Sequence, residues 1–375
     1  MAKASSRKRH RKRKSSRRNV KTVITDLHDT LIIEILSRLP PKSLCCCKCV
    51  SANWRYLISH SDNFKKFPQT LAGFFFDTKD KGRSPQVARH FENASWLQQP
   101  LIDPSFSFLP PEFEHVSLMD SCNGLLLCSY QSPFRLFVCN PATKGLVMVP
   151  DPGSVDKRNQ LCLAFDRDVS SKFHIFQIVG TEEFNAVGSK IYSSKTGEWS
   201  YKEVGWNHSE TIITWRHVFH HGMMHYISSS AILAVDTEGV MRTIPLPGDI
   251  FPYDFGYVGQ SQGHLYYMSK RGNVSTVSVW FLENYDTDEW ALKHRVTPEQ
   301  LLNSGNECVY DYEYSIISGH PDCIWIYYAN LRENFLMAYD IGREEAPEAH
   351  VLCSLGRGEL TSVFPYVPLY QETLV

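Results

Sequence analysis

Apolar residues recur at helical spacing near the start of the chain, between residues 22 and 66. One stripe repeats every four positions and is widened by two more side chains: Leu27, Leu31, Ile35 and Leu39, with Ile32 and Leu36. This period predicts an amphipathic helix, which Pro40 and Pro41 end. A second short helix is expected across residues 44–50, and Ser51 can cap a third helix that carries Trp54. The segment is therefore predicted to be a small module of three helices.

From about residue 71 onward the pattern changes to short strands rich in Phe, Tyr, Val and Ile, interrupted by turn residues, which is typical of an all-β fold. Polar tight turns between apolar strands recur about 43 to 54 positions apart, close to the length of one four-stranded propeller blade. These turns lie at residues 140, 193, 236, 286 and 340. We predict a six-bladed β-propeller, with five or seven blades as alternatives and an irregular β-sandwich as the competing fold. Residues 71–77 should pair with residues 362–369 to close the ring.

The first 21 residues are strongly basic: eleven are Lys or Arg and none is acidic. Such a segment has too few apolar side chains to form a core, so we expect a flexible tail. Runs of this kind are typical of nuclear localisation signals or nucleic-acid-binding patches. We expect a nuclear protein, with the cytoplasm as a second compartment. The predicted localisation signal comprises Arg7, Lys8, Arg9, Arg11, Lys12, Arg13, Lys14, Arg17 and Arg18.

The formal net charge of -1 combines this basic segment with an acidic remainder, because residues 22–375 have 28 basic and 40 acidic side chains. An acidic body argues against nucleic-acid binding as the main role. No run approaches the ~18 apolar residues of a membrane helix, and the basic start lacks the apolar segment of a secretory signal. We therefore expect a soluble, non-secreted protein whose 11 cysteines are free thiols.

Three local motifs could carry chemistry, and each has a simpler interpretation. Residues 259–263 fit G-x-S-x-G, but a strand pattern follows where a hydrolase needs a helix, so a hairpin turn is favoured. His221 and His225 are four apart, as in some metal sites, yet Gly222 marks a polar hairpin. The C-x-x-C at residues 46–49 lacks the two further ligands of a zinc site, which favours thiols on a short helix. We assign no catalytic residue, metal or cofactor.

Two stretches of the helical segment resemble an F-box of the plant type: DLHDTLIIEILSRLPPKSL at residues 26–44 and KCVSANWRYLI at residues 48–58. Three downstream segments are similar to the β domain that follows such F-boxes: SCNGLL at 121–126, CNPAT at 139–143 and IYSSKTGEW at 191–199. Two positions depart from the family pattern. His28 stands where Pro is usual, and cysteines at 45–47 stand where an apolar or basic residue is usual.

The resemblance implies a multi-domain protein, with a basic tail at 1–21, an F-box at 22–66 and an F-box-associated β domain at 71–375. It further implies a non-catalytic substrate receptor of an SCF-type (Skp–cullin–F-box) ubiquitin ligase. The F-box would bind a Skp-type adaptor and, through it, the cullin scaffold, while the β domain captures an unknown protein substrate for proteasomal degradation. The residues that would form or support the adaptor face are Leu27, Leu31, Ile35, Leu36, Leu39, Pro40, Leu44, Val50 and Trp54.

Other interpretations stay open. Trp54 and Val50 could instead hold the three helices together. A nuclear scaffold or nucleic-acid-binding protein could use the basic tail, in which case affinity would fall steeply with salt. A propeller enzyme would need acid, base or metal-binding side chains that converge at the centre of the ring.

Overall fold

The computed structural model describes residues 27–39, 41–60, 63, 66–67, 72–79, 87–93, 106–113, 116–130, 134–153, 161–166, 169–180, 186–203, 205–206, 212–228, 230–248, 256–261, 263–270, 276–296, 312–316, 323–329, 334–340, 349–356, 359–369 and 374.

Three short helices form the first unit, as predicted: α1 (Asp29–Leu36), α2 (Pro41–Cys47) and α3 (Ala52–Ser59), although α2 begins and ends three residues before the expected 44–50. His28 caps α1, because its ring nitrogen accepts from the Thr30 amide, and Ser51 caps α3 by accepting from the Trp54 amide at 3.1 Å. Pro41 is the first residue of α2, a position where proline is well tolerated because no helical N–H bond is lost there. The helix α1 therefore ends before the prolines that were expected to stop it.

The three helices and the segment after them share one apolar core. It is made by one face of α1, one residue of α2, two of α3 and a residue beyond α3: Ile32, Ile33, Leu36, Leu44, Leu57, Ile58 and Phe67. Asn53 at the start of α3 also donates to the Asp29 carboxylate at 3.1 Å and ties α3 to α1. This core fixes which side of each helix remains available to other molecules.

The rest of the described chain is a β-propeller built from four-stranded antiparallel blades in which consecutive strands are neighbours. Blade 1 contains β3 (Ser117–Cys122), β4 (Leu125–Tyr130), β5 (Arg135–Asn140) and β6 (Gly145–Val149). Blade 2 contains β7 (Leu161–Ala164), β8 (His174–Gly180), β9 (Ala186–Ser193) and β10 (Glu198–Glu203). Blade 3 contains β11 (Ile212–His220), β12 (Met223–Ser228), β13 (Ala231–Asp236) and β14 (Met241–Pro245). Blade 4 contains β15 (Tyr257–Ser261), β16 (His264–Lys270), β17 (Val277–Asn284) and β18 (Glu289–Val296). Blade 5 contains β19 (Tyr312–Ile316), β20 (Cys323–Ala329), β21 (Asn334–Asp340) and β22 (Ala349–Gly356).

The expectation of six blades is wrong in this structure: the described residues form five four-stranded blades. The remaining sheet has three strands in the order β2-β1-β23, with β1 (Gly73–Lys79), β2 (Val87–Asn93) and β23 (Glu359–Tyr366). The predicted pairing of the two distant ends is confirmed, because β1 runs antiparallel to β23 with Phe75 opposite Phe364. We call this sheet the closing sheet, since it joins the start of the β domain to its end.

Burial along a strand follows the position of that strand in its blade. The middle strands β4 and β5 pack against blade 2 on one face and against the closing sheet on the other, so almost every residue in them is buried. The outer strand β10 has no buried residue. The first strands β3, β7, β11, β15 and β19 lie side by side around the ring, and β23 lies beside β3.

The two faces of the ring differ in their connections. One face carries tight turns after the first and third strands of the blades, and we call it the short-turn face. Its turns include residues 123–124, 141–144, 194–197, 221–222, 237–240 and 285–288. Asn123 and Gly124 both have positive φ, as do His221 and Gly222, which is the backbone of the I′ hairpin turn.

The opposite face carries the strand ends from which the chain passes to the next blade, and we call it the long-loop face. Its described residues include 150–153, 205–206, 246–248 and 256. The four recurring turns that the structure describes, at residues 140, 193, 236 and 286, therefore lie on the short-turn face.

Candidate functional site

The helical module presents apolar side chains that its own core does not cover. Leu31 is 52% exposed and Ile35 is 50% exposed, and they lie one turn apart on α1. Val50, between α2 and α3, is 62% exposed. Because large aliphatic side chains gain free energy when they leave water, these three residues are a candidate docking surface for another protein.

The other predicted residues of the adaptor face lie beneath or beside this surface. Leu36 and Leu44 are buried in the module core. Leu27, Leu39 and Trp54 are partly buried and pack against that core. Pro40 lies outside the described residues. Of the predicted set, therefore, Leu31, Ile35 and Val50 are available for direct contact, while most of the remainder support the fold that presents them.

One exposed aromatic residue of the module was missed by sequence reasoning. Tyr56 on α3 is 61% exposed, and its ring lies 5.2 Å from that of His60. It stands between the partly buried Trp54 and the buried pair Leu57 and Ile58, so it falls outside the apolar stripe of α3. Only its character as an aromatic residue in a small module could have marked it, because exposed Tyr is frequent at protein interfaces.

The wall of the ring contains a buried acid and base. The Asp120 carboxylate on β3 accepts hydrogen bonds from the Leu163 amide at 2.6 Å and from His217 Nε2 on β11 at 2.9 Å. Both side chains are only 9% exposed. Burial lowers the pKa of His217, but the neighbouring Cys162 and the Asp120 carboxylate outweigh it and hold that pKa well above its usual value. This pair links the first strands of blades 1, 2 and 3.

A second polar cluster lies between blades 3 and 4 at the short-turn face. His225 Nδ1 donates to the Met223 carbonyl at 3.1 Å, so its Nε2 accepts from the Tyr285 hydroxyl at 2.8 Å. His220 Nδ1 donates to Gln260 Oε1 at 3.2 Å. Burial lowers the pKa of His225 to about 3 and that of His220 to about 4, with nearby histidines adding to the effect. Both rings are therefore neutral, structural members of the blade interface.

The remaining sequence motifs have structural roles in the ring. Residues 259–261 end β15 and pair with the start of β16, with Ser261 opposite His264, so the interpretation as a hairpin turn is confirmed. His221 lies in an exposed turn, whereas His225 is buried in β12. Within the described ranges, no group of three or more His, Cys, Asp or Glu is placed to hold a metal ion.

The described helices include none that is long and apolar enough to cross a membrane.

The motifs of the first blade join distant parts of the chain. Asn123 Nδ2 donates to the Phe165 carbonyl at 2.7 Å and links blade 1 to blade 2. Gly124, at φ +88°, lies against the backbone of Leu369, where a Cβ would be only 2.5 Å from the Leu369 side chain. A side chain at position 124 would therefore collide with the C-terminal segment. The predicted localisation residues between Arg7 and Arg18 lie outside the described residues.

Comparisons with known proteins agree with this architecture. Residues 24–66 match the F-box domain model, and residues 83–349 match the model described as the F-box associated beta propeller domain. The F-box protein At5g07610 of Arabidopsis thaliana is 27% identical over 77% of this chain and 74% of its own length. The putative F-box protein At1g46840 of the same plant is 25% identical over 76% of this chain and 64% of its own length. A third relative from that plant, the F-box protein At1g30790, is 23% identical over 73% of this chain and 76% of its own length.

Proposed function

Because the chain belongs to the plant-type F-box proteins that carry an F-box-associated β-propeller domain, we propose that it is the substrate-recognition subunit of an SCF-type ubiquitin ligase. In this role the F-box binds a Skp-type adaptor and the propeller binds a target protein. The observation that carries the proposal is the exposed apolar surface of Leu31, Ile35 and Val50 on an otherwise well-packed F-box. The chain acts by bringing the target to a separate ubiquitin-conjugating enzyme.

The adaptor contact is supported by the way the module divides its apolar residues. The side of α1 that holds Ile32, Ile33 and Leu36 is used by the core, and Leu31 and Ile35 lie outside that core cluster with about half of each side chain exposed. A few desolvated apolar anchors commonly supply about 2 kcal/mol or more each at a protein interface. We therefore assign the direct adaptor contact to Leu31, Ile35 and Val50, with Leu27, Leu39 and Trp54 at its edge.

The target is assigned to the long-loop face of the ring. The F-box joins the β domain at the opposite face, because the Ala72 amide donates to the Tyr366 carbonyl at 2.9 Å, at the end of β23. That end of β23 also accepts from the hydroxyl of Ser121 near the end of β3, through the Pro365 carbonyl at 2.7 Å. Connections between blades can change length and sequence without altering the blades, which suits a surface that selects a partner.

The buried acid and base of the ring do not suggest a reaction. Asp120 and His217 are bonded to each other and almost closed to solvent, whereas a general base needs contact with a substrate proton.

Localisation to the nucleus is proposed on the basic segment alone. Loss of nuclear accumulation of a fluorescent fusion after removal of residues 1–21 would support that assignment, and unchanged accumulation would contradict it.

Co-purification with a Skp-type adaptor tests the proposed function. The full chain should retain the adaptor, and Leu31→Asp and Ile35→Asp should each lose it while keeping the circular dichroism of the wild type. A matched control is Val169→Asp, which makes the same kind of change at an apolar residue of the ring that is 80% exposed. It should bind normally. Absence of adaptor binding by the wild type, or equal binding by all variants, would refute the proposal.

A further inference from the structure

Two cysteines lie exposed in a tight turn of the helical module. Cys46 is in the last turn of α2 and Cys49 follows that helix; both thiols are exposed. The Cys49 amide donates to the Cys46 carbonyl at 3.0 Å, which closes a turn from the first residue to the fourth. Such a turn brings the two Cα atoms to less than about 7 Å.

This separation suits a disulfide bond. Disulfides usually join Cα atoms about 4.4–6.8 Å apart, with modest adjustment of the side chains. The turn follows the end of a short helix, so closing the bond disturbs few helical hydrogen bonds. The Cys46 and Cys49 pair can therefore be oxidised without unfolding the module, because neither exposed thiol belongs to the module core.

The five other cysteines whose side-chain exposure the structure describes are less suited to reaction. Cys128, Cys139 and Cys162 are fully buried in the blades. Burial is the main reason that the pKa of Cys122 is raised to about 12. Cys47 packs partly against the module core, and burial raises its pKa as well. Because the thiolate is the reactive form and must be reached by the oxidant, these thiols should react slowly.

Cations flank the exposed pair. Lys48 lies between the two cysteines in sequence, and Arg55 Nε donates to the Lys48 carbonyl at 3.4 Å. An anionic small-molecule disulfide, such as oxidised glutathione, is attracted to a surface with this charge. Such a molecule supplies the oxidant that a protein dithiol needs.

We propose that Cys46 and Cys49 form a redox-active dithiol that exchanges with glutathione. One cysteine thiolate attacks a sulfur of oxidised glutathione, forming a mixed disulfide and releasing one glutathione thiolate. The second cysteine thiolate then attacks the protein sulfur of that mixed disulfide and releases the second glutathione. The two protein thiols lose two electrons and two protons, and two molecules of reduced glutathione result. The bond closes directly beside the exposed Val50.

Peptide mapping of the full chain tests this proposal. The native protein is treated with oxidised glutathione, quenched by alkylation and digested with trypsin, which cleaves after Lys48. Cys46 and Cys49 then fall in separate peptides, residues 43–48 and 49–55. The expected product is this pair of peptides linked by a bond that a reductant breaks, while the peptides with Cys128, Cys139 and Cys162 remain in the thiol form.

Serine variants assign the bond within the cysteine-rich peptide. Cys45→Ser and Cys47→Ser should keep the linked pair of peptides. In Cys46→Ser the link should disappear and Cys49 should retain bound glutathione, because the second thiol is absent. These are matched single-atom changes in one short segment. A link that survives in Cys46→Ser, a wild type that holds glutathione on both cysteines, or a wild type that does not react would each overturn the proposal.

Discussion

The side-chain amide of Asn140 donates a hydrogen bond of 2.8 Å to the backbone carbonyl of Leu369, although the two residues are 229 positions apart. Asn140 is fully buried at the end of β5, and Leu369 packs into the core between the first two blades. Leu374 lies further along, within 3.2 Å of the position that a Cβ on Gly145 would take. Leu369 and Leu374 therefore both lie beside the short turns of blade 1 and pack against the core that it shares with blade 2.

The change Asn140→Ala should lower the stability of the ring. It leaves the buried Leu369 carbonyl without its donor, which costs about 1–3 kcal/mol, and it also removes the acceptor of the Ala142 amide. Equilibrium unfolding in urea measures the loss. In a chain that ends at residue 366 the same substitution should have a smaller effect, because the partner carbonyl is gone. Equal losses in the two backgrounds would show that the contact contributes little.

The blades could be predicted from the sequence, but the contact between Asn140 and Leu369 could not. Each of the five recurring turns lies after the third strand of a four-stranded blade, as at Asn140 and Asp236, so the local period counted those blades correctly. The closing sheet takes its strands from both ends of the domain. Its three strands and the bond between Asn140 and Leu369 depend on residues far apart in sequence, which a local period does not report.

The helical module illustrates a second limit. Leu31, Ile35 and Leu36 belong to one apolar pattern, yet the first two are exposed and the third is completely buried. A helix that is apolar on more than one face gives the same sequence signal for core and for partner contacts. The position of Asp120 beside His217 could not be predicted either, because β3 and β11 meet only when the ring closes.

Val50 and Trp54 should respond differently to substitution. Val50→Asp should leave the module folded, since changes at exposed positions alter stability by only about 0.5 kcal/mol, but it should weaken adaptor binding. Trp54→Ala should loosen α1 and α3, because Trp54 packs against their core. Since Trp54 is only partly buried, the loss of unfolding free energy should be smaller than the cost of removing a fully buried aromatic side chain, which is about 3–5 kcal/mol. Hydrogen exchange of residues 29–36 and 52–59, with adaptor titration, separates the two effects. Faster exchange in Val50→Asp would contradict this assignment.

Removing the partner of His217 should destabilise the centre of the ring. Asp120→Ala leaves the Leu163 amide without an acceptor and His217 without a counter-charge, so the loss should reach about 3–5 kcal/mol. Asp120→Asn should cost less and bring the pKa of His217 down, which an NMR titration of its ring would record. Because the pKa of His217 is raised in the folded chain, the stabilisation by this pair is complete below pH 6.5. It is lost as the pH rises through the raised pKa of His217. An unchanged pKa in Asp120→Asn would show that the carboxylate does not hold the proton.

Acid should weaken the junction of blades 3 and 4. The folded pKa values of His225 and His220 are lowered to about 3 and about 4, so below the ordinary value of 6.5 the unfolded chain binds protons that the folded chain does not. The contribution of these two histidines to the stability of the folded chain is therefore complete above pH 6.5 and declines as the pH falls. Each pKa unit is worth about 1.4 kcal/mol, so the loss between pH 7 and pH 4.5 should be about 2–5 kcal/mol.

The change of the unfolding free energy with pH, compared between variants, separates this effect from the acid titration of carboxylates, which occurs in every variant. The urea-unfolding free energy of His225→Gln should fall less between pH 7 and pH 4.5 than that of the wild type, whatever its absolute stability. His90→Gln, which removes an exposed histidine of β2, serves as the matched control and should keep the wild-type slope. If the three slopes coincide, protonation of His225 does not drive unfolding. A reduced slope in His225→Gln alone would show that the neutral ring, which accepts from the Tyr285 hydroxyl, holds the two blades together.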